Sequence, residues 1–218
     1  KDPHGHTLRV TELAVADELA AAAGLLKGKL ERIPAVLIRG YAFPAAIGAS
    51  VALGRKPVVC IDGDGGFQIN IQEFQTVRHY NLPLKMFILN NRSMGIIKQF
   101  QDLYFDSRYY ATTPEGGYSA PDFAAVAKAY GIEAITVSGL GEADAAIERV
   151  LAHDGPILCN VLIDTEQKLN PKLEFGRPLE DMAPYLSRED FLSQMIVETL
   201  PGAEEIPKHT GWQTLDDK

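Results

Sequence analysis

Short, predominantly apolar runs alternate along the chain with stretches whose apolar positions recur at helical spacing. The runs are Pro34 to Ile38, Val58 to Ile61, Leu84 to Leu89, Ile135 to Val137 and Pro156 to Ile163. Val58 to Ile61 is unbroken, the kind of apolar sequence found in central strands of a parallel sheet that are buried on both faces. Between the runs, the spacing predicts helices over about Thr11 to Leu26, from Pro44 to the stop at Gly54, over Asn70 to His79, from Phe123 to Gly131, and over Glu142 to Ala152. Pro44 suits a first helical turn, an Asp or Ser caps the helix at Phe123, and Asn81-Leu82-Pro83 reads as a turn. Strand and helix alternating in this way predict an α/β fold, a doubly wound parallel sheet flanked by helices. Beyond Gly176 the chain turns to prolines and mixed charges. A last helix is expected over Phe191 to Leu200, and residues 201–218 read as a polar tail.

Composition narrows the picture in three places. With 218 residues, 46% of them hydrophobic and 23% charged, the chain holds one full α/β domain and a little more. A formal charge of −8 argues against a nucleic-acid partner, which requires a basic face. Cys60 and Cys159 both sit inside apolar runs, the setting of small buried hydrophobes rather than of a disulfide framework. No apolar stretch approaches the roughly 18 residues that cross a bilayer, and the charged N-terminus does not resemble a signal peptide. A cytoplasmic protein without a membrane partner is therefore expected.

The candidate chemistry lies where two strands stop. Val58 to Ile61 runs into Asp62-Gly63-Asp64-Gly65-Gly66, and Leu84 to Leu89 into Asn90-Asn91, with residues 66–89 between Gly63-Asp64-Gly65 and Asn90-Asn91. Open parallel sheets bind ligands beyond the carboxyl ends of their strands, where glycine turns let backbone N–H groups approach an anion. A divalent cation bridging a diphosphate takes a few oxygen ligands from protein, water and phosphate. Asp64 and Asn91 supply two of these, while Gly65 and Gly66 bring N–H groups toward the phosphates. The plain alternative is that both motifs are ordinary strand-end turns.

The buried strand into Gly-Asp-Gly, the helix, the second buried strand and then Asn-Asn resemble the signature of thiamine diphosphate-dependent enzymes. The wording GDGGFQINIQEFQTVRHYNLPLKMFILNN, continued by GIIKQFQ and DGPILCNVLID, is most similar to acetolactate synthases. The resemblance covers residues 41–200 and implies a diphosphate-binding domain of PP type. It implies thiamine diphosphate and Mg²⁺ as cofactors. The cation would be held by the side chains of Asp64 and Asn91 and the backbone carbonyl of Ser93. Gly63, Gly65, Gly66 and Asn90 would line the diphosphate, and Gly95 and Ile96 would open a segment, Gly95 to Gln101, that covers the cofactor. The implied reaction is decarboxylation of a 2-oxoacid with acyl transfer to a carbonyl acceptor. Phe100 stands where these synthases generally carry Trp.

Two further features set the expected domain organisation. Family members carry a Met-containing Gly-Ser/Thr-Met-Gly segment before the helix at Pro44, and Arg39 stands in the Met position. Upstream, residues 2–41 resemble a stretch of the gamma-glutamyl ligases that extend a deazaflavin coenzyme, in which Asp17 and Glu18 read as a solvated helix face. The expected division is thus a ligase-like segment 1–41, a cofactor-binding domain 42–200 and a tail 201–218. In the family the catalytic glutamate belongs to a separate pyrimidine-binding domain. None precedes residue 1, so a partner subunit or homo-oligomer is expected to supply it, and no catalytic residue is assigned within this chain. The alternatives are a noncatalytic or chimeric binding module and a gamma-glutamyl ligase fragment.

Overall fold

The computed structural model of the chain describes residues 36–38, 41–174, 178, 180–201 and 203–205. The helix expected over Thr11 to Leu26, Asp17, Glu18, Arg39 and most of the tail lie outside the described residues. Among the described residues five strands form one wholly parallel sheet: β1 (Val36–Ile38), β2 (Val58–Gly63), β3 (Leu84–Asn90), β4 (Glu133–Val137) and β5 (Ile157–Leu162), in the spatial order β1-β2-β3-β5-β4. The helices between them are α1 (Ala42–Ala52), α2 (Asp64–Gln68), α3 (Phe74–Tyr80), α4 (Gly95–Tyr104), α5 (Phe123–Ala129) and α6 (Leu140–Ala152).

That order explains the two layers of helices. Successive right-handed crossovers that advance along the sheet put their helices on one face, and the crossover that steps back puts its helix on the other. Residues of α1, α3 and α5 share one buried cluster with Val58, Cys60, Leu84, Met86, Ile88, Ala134 and Leu158. The buried residues of α6, Ala146, Ile147 and Val150, fall outside it, and α6 packs on β4 and β5. The alternate strand residues Val59, Ile61, Phe87, Ile157 and Cys159 are also buried, as strands covered on both faces must be. Lys85 shares their parity. Its ammonium donates to the carbonyls of His153 and Gly155, the latter at 2.8 Å, which satisfies a charge that burial otherwise penalises.

Local chemistry sets the element ends. Asp122 caps α5 by accepting from the Ala125 N–H at 3.0 Å, and α5 stops before Gly131, whose φ of +73° favours glycine. Asn81 closes α3 in the left-handed conformation. The region expected as a single helix from Asn70 begins as a 3₁₀ turn, Ile71–Glu73, and becomes α-helical at Phe74. Both cysteines are free and buried, and burial pushes their thiol pKa values up, for Cys159 to about 12. Among the described residues no helix is long and apolar enough to cross a membrane.

Among the described residues, those up to Lys168 make one compact unit and those from Leu169 on belong to a second. In the second, Lys172 and Ala183 form an isolated antiparallel bridge, the Tyr185 hydroxyl donates to Glu174 at 2.6 Å, and Arg188 grips both carboxylate oxygens of Asp181. Its helix α7 is Arg188–Gln194, earlier and shorter than the expected Phe191 to Leu200. The reason is a capping pair. Ser187 accepts from the Asp190 N–H and donates to the Asp190 carboxylate, which starts the helix there, and Met195 then turns extended.

Candidate functional site

The carboxyl ends of β2 and β3 lie side by side, with Gly63 in register with Leu89. Beyond β2 the glycine-rich segment does more than turn. It forms α2, which Asp64 opens and whose Phe67 plugs the core between Phe43, Phe74 and Phe123. All four rings are fully buried. Phe67 and Phe43 stack with centroids 4.3 Å apart, so a segment rich in glycine is held by an aromatic anchor three residues past Asp64.

Asp64 is buried at 2% exposure. Its Oδ1 accepts from the Gly65 N–H at 3.0 Å, whereas its Oδ2 is buried without a hydrogen-bond partner. Burial raises the carboxyl pKa above its ordinary value, opposed by the N–H of Gly65, the Tyr118 hydroxyl and the N–H of Ser93. Those opposing groups show that the two strand-end loops converge on one carboxylate. At the end of β3, Asn91 Oδ1 accepts from the Ser93 N–H at 3.1 Å, and Ser93 is itself buried with its hydroxyl donating to the Thr112 carbonyl at 2.7 Å. Asn90 faces along the sheet instead. Its amide donates to Asn160 Oδ1 at 3.1 Å and its oxygen accepts from the Arg92 N–H, pinning β3 to β5.

The glycines divide into two kinds. A Cβ on Gly66 would lie 2.5 Å from the Asp62 carboxylate, one on Gly95 2.5 Å from the Asn91 amide nitrogen, and one on Gly65 2.4 Å from the Met94 sulfur. These positions are glycine because side chains close over them. Around Gly63 a Cβ would meet nothing within 4 Å, so its surroundings are open. Gly95 opens α4, on which Ile96 and Ile97 are about half exposed while Lys98 and Gln99 are buried. Lys98 pairs with Glu166 at 2.5 Å and lies over the Tyr109 ring, on the wall of a cleft of about 700 Å³ that also reaches Arg92 and Ser93.

Residues 34–161 match the family model described as "Thiamine pyrophosphate enzyme, C-terminal TPP binding domain". The chain belongs to that family. Among curated relatives of this TPP-binding domain are the acetolactate synthase isozyme 2 large subunit of Escherichia coli, 39% identical over 68% of this chain and 26% of the relative, and the acetolactate synthase large subunit of Cyanidium caldarium, 36% identical over 66% and 24%. A thiamine diphosphate-dependent 4-hydroxybenzoylformate decarboxylase of Rhodococcus jostii superposes with a TM-score of 0.51 at 29% identity, covering 59% of this chain and 24% of that one. The chain thus spans about a quarter of the length of these proteins. Residues 1–40 separately match the model "F420-0:Gamma-glutamyl ligase".

The site of the TPP-binding domain fits a magnesium diphosphate on its own evidence. A buried carboxylate oxygen without a partner suits a cation, and one carboxylate beside an amide is the donor set of an ion shared with phosphates. The open surroundings of Gly63 and the packed backbone at Gly65 and Gly66 leave a polar surface for an anion to approach. Asp62, Met94, Thr112 and Tyr118 also build this site, and the strand-end motifs point to none of the last three. Asp62 stands within the motif, and its parity one residue past the apolar run was the available signal.

Proposed function

We propose that this chain is the magnesium- and thiamine diphosphate-binding half of an acetolactate synthase-like enzyme, which decarboxylates a 2-oxoacid and transfers the acyl group to a carbonyl acceptor. The observation that carries the reading is the buried, unpartnered Oδ2 of Asp64 beside Asn91 and Ser93, at adjoining strand ends of a TPP-binding domain. Asp64 and Asn91 would hold Mg²⁺ through their side chains and Ser93 through its carbonyl. Gly63, Gly65 and Gly66 would line the diphosphate, with Gly95 and Ile96 against the rest of the cofactor and Asn90, turned toward Asn160, holding β3 to β5 behind them.

Thiamine diphosphate, when bound, supplies the carbon nucleophile and electron sink for 2-oxoacid decarboxylation. The residues of this chain orient and neutralise. Gly65 fixes one oxygen of Asp64 and leaves the other to the cation, Phe67 anchors the helix that carries it, and Asn91 and Ser93 meet it from the next loop. Proton management at the aminopyrimidine belongs, in this reading, to the glutamate of a pyrimidine-binding domain supplied by a partner subunit. A cytoplasmic setting completes the proposal.

The test is thermal unfolding with Mg²⁺ and thiamine diphosphate added separately and together, followed by an assay for acetolactate from pyruvate with and without a pyrimidine-binding domain. The two ligands together raise the unfolding temperature of the parent but not of Asp64→Ala, and turnover needs the added domain. Equal behaviour of parent and variant contradicts the cofactor site. Turnover by the chain alone contradicts the partner requirement.

A further inference from the structure

Tyr118 belongs to neither signature motif and sits in the loop before α5, yet its hydroxyl reaches the same point as Asp64. The hydroxyl oxygen is buried and has no hydrogen-bond partner. It is close enough to interact with the Asp64 carboxylate, whose Oδ2 also has none, without the two meeting the geometry of a hydrogen bond. Gly65 adjoins both: its N–H donates to Asp64 Oδ1, and a Cβ there would stand 3.5 Å from the Tyr118 oxygen and 2.4 Å from the Met94 sulfur. The phenol oxygen therefore sits against the backbone of Gly65, within reach of the Asp64 carboxylate.

Buried hydroxyls are normally paired, and a Phe would fill the same volume with no polar atom to satisfy. Two unpartnered polar atoms facing one small space are accounted for together if the carboxylate shifts when it takes a cation. Carboxylates bound to metals are themselves hydrogen-bonded from behind, which fixes their orientation. With Oδ1 of Asp64 already accepting from Gly65, one donor is needed on the far side, and the Tyr118 O–H is positioned to be it.

We propose that Tyr118 is a positioning residue of the cation site, donating its hydroxyl hydrogen to Asp64 when the carboxylate holds Mg²⁺ with the diphosphate. The inference rests on the reading of Asp64 given above. Its effect falls on cation affinity rather than on the fold.

The test titrates Mg²⁺ by calorimetry into the full chain in excess thiamine diphosphate, for the parent, Asp64→Asn and Tyr118→Phe, with unfolding in EDTA as the control. Tyr118→Phe is expected to weaken Mg²⁺ by about 10- to 100-fold, with its unfolding midpoint in EDTA unchanged or raised. Unaltered Mg²⁺ affinity in Tyr118→Phe, with the response of Asp64→Asn abolished, overturns the role of Tyr118 alone. A lowered midpoint in EDTA also overturns it, because the hydroxyl would then serve the fold. If Asp64→Asn responds like the parent, the cation site itself fails and Tyr118 with it.

Discussion

Phe67 stacks on Phe43, with ring planes 15° from parallel, from the same short helix that presents Asp64. The five residues of α2 have little else to hold them, since two of them are glycine and helix interiors lose stability there. The aromatic cluster therefore fixes the position of a carboxylate it never touches.

Removing that anchor should cost both stability and binding. Phe67→Ala is expected to lower the unfolding free energy by about 3–5 kcal/mol, the range for a fully buried Phe, and Phe67→Leu by clearly less. Urea unfolding measures this. In conditions where Phe67→Ala remains folded, its response to Mg²⁺ and thiamine diphosphate falls below that of the parent.

The two kinds of glycine predict opposite outcomes for one substitution. Gly66→Ala forces a methyl against the Asp62 carboxylate and is expected to cost about 1–3 kcal/mol as overpacking. Gly63→Ala meets nothing and has an ordinary φ of −79°, so the ligand-free chain keeps its stability or gains by a few tenths to about 1 kcal/mol. Its methyl instead enters the open space beside the proposed diphosphate site. Weaker cofactor binding with undiminished stability is the signature to look for by calorimetry and thermal unfolding.

Lys85 gives the stability a particular pH dependence. Burial lowers its pKa from 10.5 to about 8, opposed by the charge of Asp154. Between those two values the unfolded chain retains a proton that the folded chain has released, so Lys85 makes stability rise with pH across that window. Below about pH 8 both states are protonated and the cost of burying the charge is present in full. Lys85→Met removes this slope, and it also leaves the carbonyls of His153 and Gly155 without their donor. Denaturant unfolding of parent and variant from pH 7 to 10 should show the parent gaining relative to Lys85→Met as pH rises.

The central strands β2, β3 and β5 were legible because they are buried on both faces and so read as largely apolar runs; the helices α1, α3, α5 and α6 followed from their spacing, caps and stops. Where packing reverses the usual pattern, the sequence misleads. In α4 the apolar residues Ile96, Ile97, Phe100, Leu103 and Tyr104 recur at helical spacing, yet Ile96 and Ile97 are exposed while Lys98 and Gln99 are buried, so the spacing that marks the helix does not mark its inner face. The segment Asp64–Gln68 reads as a turn because its helix depends on Phe67 finding three distant rings. Asp64, Asn91 and Ser93 could be named from strand ends and resemblance. Tyr118 could not, since only the folding of a loop brings it to Asp64, 54 residues away along the chain.

The most direct test of the central claim is a calorimetric titration of thiamine diphosphate into the chain, with Mg²⁺ and again in EDTA, repeated for Asp64→Ala and Asn91→Ala. A saturable heat in the parent that disappears in EDTA and is lost or greatly weakened in both variants is predicted. Absence of binding by the parent with Mg²⁺ present, or binding by Asp64→Ala equal to that of the parent, would contradict it.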